Sequence, residues 1–138
     1  MATYTKFQPF VEKLAEKAHD LGSDTLTVAL TAAANAPAAT DGVLADLTEV
    51  TNTNCSARAL TTATSAQTGG TYKLVVNDLV LTASGGTVGP LRYVVVYNDT
   101  ATNDELICFF DYGSEITLAD GETLTLDFDG TNGLLQIA

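Results

Sequence analysis

Tryptophan is absent from this 138-residue chain, histidine occurs once, and lysine and arginine together number six. Each shortage closes off a class of function. Six cations against 17 carboxylates leave a formal net charge of −11, which argues against nucleic acid as a partner, because a DNA- or RNA-binding face needs clustered positive charge. Such acidity keeps a β-rich protein soluble or complements a basic partner surface. The single histidine, His19, rules out a multi-histidine metal site. It falls at the end of the first predicted helix, where the dipole and Asp20 favour a cation, and no serine or cysteine motif accompanies it as a nucleophile. The two cysteines, Cys55 and Cys108, are too widely spaced for a zinc pattern or a disulfide framework. They read as two free thiols rather than one bridge, Cys108 lying inside an apolar strand. No cationic segment followed by a short apolar run marks a secretory leader, and no apolar run approaches the ~18 residues of a membrane-crossing helix. The expectation is a mature, soluble protein made in the cytoplasm, with neither nucleic acid nor membrane as partner.

What the chain does have is apolar content. Hydrophobic residues make up 46% and charged residues only 17%, enough for one domain with its own core. The stretch "KFQPFVEKLAEKAHDLG" carries a helical period: Phe7, Phe10, Val11, Leu14, Ala18 and Leu21 recur at three- and four-residue steps. Pro9 suits the first turn and Gly22 the residue past the end. The spacing predicts a helix over about 8–20 within an N-terminal helical segment, 1–22. From residue 23 to 138 the period is two, and the rest reads as a β-sandwich domain within the same folded unit. "DTLTVALT" (24–31) alternates as a half-buried strand. Residues 32–42 are small, polar and broken by Pro37, an irregular loop, and "VLADLTEV" (43–50) has room for one helical turn. Residues 51–70 contain almost no large apolar groups. A weak strand around "SARALTTATS" fits there, at an edge or an intersubunit contact. "TYKLVVNDLVLTAS" (71–84) holds two apolar runs broken at Asn77-Asp78, and "GGTVGP" reads as a turn. "EITL", "TLTLDFD" and "LLQIA" follow as short strands between Gly-, Asn- and Asp-bearing turns. About eight short strands at 8–12-residue spacing plus one helix predict a mainly β fold, an antiparallel β-sandwich or jelly-roll-like domain with one short N-terminal α-helix.

Motifs that carry chemistry do not emerge. "DFDGTNG" (127–133) places Asp127, Asp129 and Thr131 at alternate positions, but a calcium loop wants glycine at its sixth position and glutamate at its twelfth. Asn132 and Ala138 stand there, so the stretch reads as a hairpin turn. The glycines of "TGGTY" and "SGGTVGP" match neither a phosphate loop nor a dinucleotide fingerprint. Tyr72, Tyr93, Tyr97 and Tyr112 suit core and interface positions better than a sugar-stacking surface. The sequence offers no catalytic residue, cofactor site or metal site, and the expectation is a protein that is not an enzyme and carries no cofactor.

The hairpin "LRYVVVYNDTATNDELICFFDYG" (91–113) is the most strongly patterned segment. Tyr93, Val95 and Tyr97 alternate with Val94 and Val96, and Ile107 and Phe109 alternate with Leu106, Cys108 and Phe110. Both strands are apolar on both faces, unlike a sheet with one wet face. Either they are central strands covered on both sides, or the second face meets another subunit. Tyr93, Val95, Tyr97, Ile107 and Phe109, with Phe7 and Phe10 of the helix, are therefore candidate assembly residues.

The order of these features resembles a family of small structural proteins of tailed bacteriophages. The likeness is carried by "FQPFVEKLAEKAHDLGSDTLTVALT", by the small-residue loop ending in "LADLTEVT", and by the 91–113 hairpin followed by "LTLDFDGTNGLLQI". It spans nearly the whole chain as pattern and order rather than as an invariant motif. What the resemblance implies is a non-enzymatic virion protein on the capsid surface, made in the host cytoplasm. Its preferred role is capsid decoration (cement): a homotrimer that binds the major capsid protein of the same phage and braces the shell. The N-terminal helix or the flat Thr/Ala segment 51–68 would grip the shell. A tail, baseplate or fibre component touching the host surface is the alternative within the same class, and a small enzyme or ligand-binding β domain lies outside it.

Overall fold

A computed structural model describes residues 2–138. The elements run β1 (Thr3–Lys6), α1 (Pro9–Ala15), β2 (Leu26–Thr31), two 3-10 turns (Ala33–Asn35 and Leu44–Asp46), β3 (Thr62–Thr68), β4 (Thr71–Val76), β5 (Leu79–Thr82), β6 (Val88–Asn98), β7 (Leu106–Leu118), β8 (Thr123–Leu126) and β9 (Leu135–Ile137). The protein is mainly β, with antiparallel sheets and one short helix. A four-stranded sheet in the order β1-β7-β6-β2 forms its centre, and a three-stranded sheet β3-β4-β9 and a two-stranded sheet β5-β8 complete it.

The 91–113 hairpin sets the frame. β6 and β7 pair antiparallel, with Val94 opposite Phe110 and Val95 opposite Phe109. Because side chains alternate along a strand, Tyr4, Phe110 and Val94 form a row on one face. Thr5, Phe109 and Val95 form the next row, on the other face. Leu74, Val76, Leu81 and Leu126 of the smaller sheets join the same core as the first face, and Phe128 meets Phe110 at 5.8 Å between ring centres. On the second face Phe7 meets Phe109 at 5.0 Å, α1 packs on β7, and the first 3-10 turn packs on β6. Val94, Val95, Val96, Ile107 and Cys108 are buried as a result. Two-sided coverage comes from one chain.

Four expectations are corrected. The helix ends at Ala15, not near residue 20. Lys17 adopts φ 69°, and Ala18 N–H reaches back to Lys13 O at 2.8 Å, so the chain leaves the helix in a tight wrap. Asp20 then organises a polar turn, accepting from Gly22 N–H and from the Ser23 hydroxyl, and Leu21 reaches the core from that turn. Second, the residues before the helix form β1 rather than helical or loose chain. Third, β2 is buried along its whole length rather than on one face. Its outer edge is occupied by the segment around Arg58–Leu60: Val28 N–H donates to Arg58 O and Leu60 N–H to Leu26 O. Fourth, Val88–Pro90 of the supposed "GGTVGP" turn begin β6, and "EITL" is the far limb of β7, set off by a register break between Tyr93–Asp111 and Leu91–Ile116.

Candidate functional site

The seven assembly candidates come together, but inside the molecule. Phe7, Phe10, Tyr93, Val95, Tyr97, Ile107 and Phe109 are all buried in one chain's core. Tyr93 and Phe109 meet edge to face, 6.2 Å between centres. None of the seven offers a surface to a neighbouring subunit in this structure, and the hairpin's double apolar pattern is fully accounted for by coverage within the chain.

Among the described residues the polar groups outside the core include turns, two ion pairs, Arg58–Glu49 and Arg92–Asp111, and one buried cluster. In "DFDGTNG" the Asp129 carboxylate accepts from the backbone N–H groups of Asn132 and Thr131, both at 2.8 Å, and from the Asn132 side chain at 2.9 Å. The Asn132 amide and these further donors hold the Asp129 carboxyl below the usual carboxylate range. The loop is a self-satisfied turn. Among the described residues no group of three or more His, Cys, Asp and Glu is placed to hold a metal ion.

The buried cluster lies at the turn end of the β6–β7 hairpin. His19, expected as a cation at the end of the first helix, lies beyond that helix and is buried, with Phe10 5.1 Å away between ring centres. The Asn98 side-chain amide donates to His19 Nδ1 at 3.0 Å and to Asp24 Oδ2 at 2.6 Å. Burial lowers the His19 pKa from its ordinary value, against the opposing pull of the Glu105 and Asp24 carboxylates. Asn98 also receives the Thr100 and Ala101 N–H groups on its Oδ1, which fixes the amide's orientation. This cluster is a clamp on the hairpin end: its hydrogen bonds tie the α1–β2 connection to the 98–105 turn. Both cysteines are free, and burial pushes the Cys108 thiol up to about 12, far from thiolate chemistry at neutral pH.

One open concavity is lined by aromatic side chains. A cleft of about 680 Å³ lies on the first face of the central sheet, beside β1. Tyr4, Val94 and Phe110 line one side of it, and Leu126, Phe128 and Leu135 are among the residues from the β8–β9 segment that line the other. Its volume is that of a ligand pocket. Tyr4 is 41% exposed and Ile137, on the same face of β9 as Leu135, is 43% exposed. These are two of four large apolar side chains left exposed among the described residues. The cleft lining carries two carboxylates, Asp127 and Asp129, and no cation. Sequence reading missed this site because its walls come from residues 2–4, 94, 110–112 and 125–136. The one available signal was Tyr4, an aromatic residue in an otherwise polar N-terminal stretch.

No helix among the described residues is long and apolar enough to cross a membrane. Comparison with protein-family models, with curated protein sequences and with solved structures finds no match for this chain.

Proposed function

We propose that this chain is a non-enzymatic structural protein of a tailed-phage particle, a capsid decoration protein that assembles as a homotrimer on the shell and braces it. The resemblance of pattern and order supports the class. The observation that carries an assembly role is β3. Six of its seven residues, "TATSAQT", are exposed, and it pairs with β4 on one edge only, at the margin of its sheet. A strand with two uncovered faces and an open edge is a surface prepared for another chain, since isolated edges otherwise invite uncontrolled pairing. Its small, flat Thr, Ala and Ser side chains allow close approach, and its pairing with β4 holds it in place. A shell partner fits the strongly acidic chain through complementary charge.

The bracing follows from linkage: a protein that binds only the assembled shell raises shell stability by mass action. The test is light scattering of the purified protein, then co-sedimentation with emptied shells. The expected result is a mass three times that of the 14.4 kDa chain, recovery in the shell pellet, and shells that resist heat better with the protein than without. An Ala66→Arg variant, at an exposed β3 position, keeps its fold and loses trimerisation. A monomer that ignores shells and pellets with tail fractions would move the protein to the tail or baseplate.

A further inference from the structure

The aromatic cleft and the free edge of β1 form one continuous feature. We infer that together they bind an extended peptide segment of a partner chain, rich in apolar side chains and carrying lysine or arginine, which adds as a fifth strand beside β1. The inference names an attachment surface and draws on the proposed shell role only for where that peptide comes from.

The edge comes first. Phe7 N–H donates to Ile107 O at 3.1 Å, and the register places Thr5 opposite Phe109 and Thr3 opposite Asp111. In an antiparallel ladder the residues of hydrogen-bonded pairs alternate with residues whose amides turn away. Thr3, Thr5 and Phe7 therefore face β7, and Tyr4 and Lys6 direct their N–H and C=O groups outward. β1 ends its sheet, so among the described residues no strand takes those outward groups. The edge is four residues long, roughly 13 Å at the usual rise per residue. That length suits one short strand added by backbone hydrogen bonds, with alternate side chains supplying specificity.

The cleft comes second. Tyr4 shares its row with Phe110 and Val94, and Tyr4 meets Phe110 at 5.4 Å between ring centres. A strand laid along β1 would turn every other side chain onto this aromatic face and toward Phe128 and Leu135 across the cleft. Aromatic side chains grip apolar groups at little entropic cost.

Charge selects among occupants. Asp127 makes neither ion pair of the structure and lies close enough to Tyr112 that, after burial, it raises that phenol further. Asp129 beside it is already held by the Asn132 and Thr131 donors and by the nearby Lys73, so Asp127 is the carboxylate by which the wall favours a cationic segment. A second copy of this chain would bring the same two carboxylates and another net −11 against them, which opposes self-pairing through this site. A sugar would need free side-chain donors and acceptors, but Asn132 donates to Asp129 and Gln136 donates to Asn132 O. Among the described residues, the groups left unpaired along the cleft are the backbone amides and carbonyls of the β1 edge, the Asp127 carboxylate and the Tyr112 and Thr125 hydroxyls. The free strand edge together with the negative wall favours a basic β-strand.

The test is an NMR titration of the isotope-labelled full chain. The probe is a capped seven-residue peptide alternating valine with lysine, and the control is its valine–glutamate counterpart. The expected result is saturable shifts at Tyr4, Lys6, Phe110 and Leu135, slower hydrogen exchange at the Tyr4 and Lys6 amides, and at least tenfold weaker binding of the control. An exposed-site variant, Asp127→Lys, retains the parent spectrum and loses at least tenfold in affinity for the lysine peptide. Shifts confined to other surfaces, no saturation at millimolar peptide, or equal binding of both peptides would overturn the inference. Broadening at β1 that grows with protein concentration alone would assign the edge to a second copy and overturn it too. Shell co-sedimentation separates the two claims. A chain that binds the peptide at the cleft but never shells loses the proposed role and keeps the site. An Asp127→Lys chain that pellets with shells as the parent does keeps the role and overturns the cleft as the attachment surface.

Discussion

Asn98 donates its side-chain amide to His19 Nδ1 across 79 residues of sequence, at 3.0 Å, and so fixes His19 as the tautomer protonated on Nε2. That Nε2 is buried and has no hydrogen-bond partner among the described residues. A second proton on this ring would lose the Asn98 bond and add a charge where burial already disfavours it.

Stability should therefore depend on His19 in a defined direction. Its folded pKa lies below the unfolded value of 6.5, so between the two the unfolded chain binds more protons. The contribution is fully present above about pH 6.5 and is lost as pH falls through the lower folded value. Urea midpoints at pH 7.5, 6.5 and 5.5, a range above ordinary carboxylate titration, should fall for the parent. In a His19→Gln variant, where Asp24 and Glu105 still face the site, they should stay nearly level. Equal slopes in both proteins would remove His19 as the cause.

Asn98 is the most connected side chain of the hairpin end. Replacing it by alanine removes two donated bonds, to His19 and Asp24, and two accepted ones, from Thr100 and Ala101 N–H. With these groups left partly buried, Asn98→Ala should cost about 2–4 kcal/mol. Denaturant unfolding measures it, and a loss below 0.5 kcal/mol, a bound taken from ordinary surface substitutions, would mean that water replaces the amide freely.

The hairpin's double apolar pattern makes a stability prediction rather than an assembly one. Phe109→Ala should cost about 3–5 kcal/mol, and Val95→Asp, which buries a carboxylate among fully enclosed neighbours, should abolish folding. Circular dichroism and size exclusion read both. A well-folded Val95→Asp chain that merely changes its oligomeric state would return these residues to an interface.

Two glycines with nearly the same backbone angle should behave differently. Gly121 (φ +87°) has open space where a Cβ would stand, whereas at Gly133 (φ +82°) the Cβ would lie 2.5 Å from Leu74 O. That carbonyl accepts the Leu134 N–H at 2.7 Å, so it cannot retreat without loosening β9. Gly121→Ala should cost about 1–2 kcal/mol for the left-handed conformation alone, and Gly133→Ala roughly 3 kcal/mol or more. Matching urea midpoints for the two variants would show that the β4–β9 junction yields.

The legible parts of the fold were those in which one local signal dominates. β6 and β7 announce themselves by unbroken apolar runs over 93–97 and 106–110, and the break at Asn77-Asp78 separates β4 from β5 as the dipeptide suggests. Alternation misled at β2, because Thr27 and Thr31 look solvent-facing yet are buried under chain from elsewhere. Periodicity misled at the first helix: Ala18 and Leu21 keep the helical spacing, but Lys17 turns left-handed and the Asp20 turn delivers Leu21 to the core. β1 is four residues of mixed character and gains strand structure only from β7. The cleft was invisible for the same reason, since its aromatic row exists only once Tyr4 is set beside Phe110.

The pairing of β1 with β7 also orders events during synthesis. Thr3 finds its partner at Asp111, so the first strand cannot take its place until most of the chain has left the ribosome. Until then Tyr4 and Phe7 have no sheet to join, while α1 and β2 wait for β6 and β7 behind them. Pairings this distant in sequence close late and slowly. β1 is thus among the last strands of the central sheet to be secured, since it waits for β7.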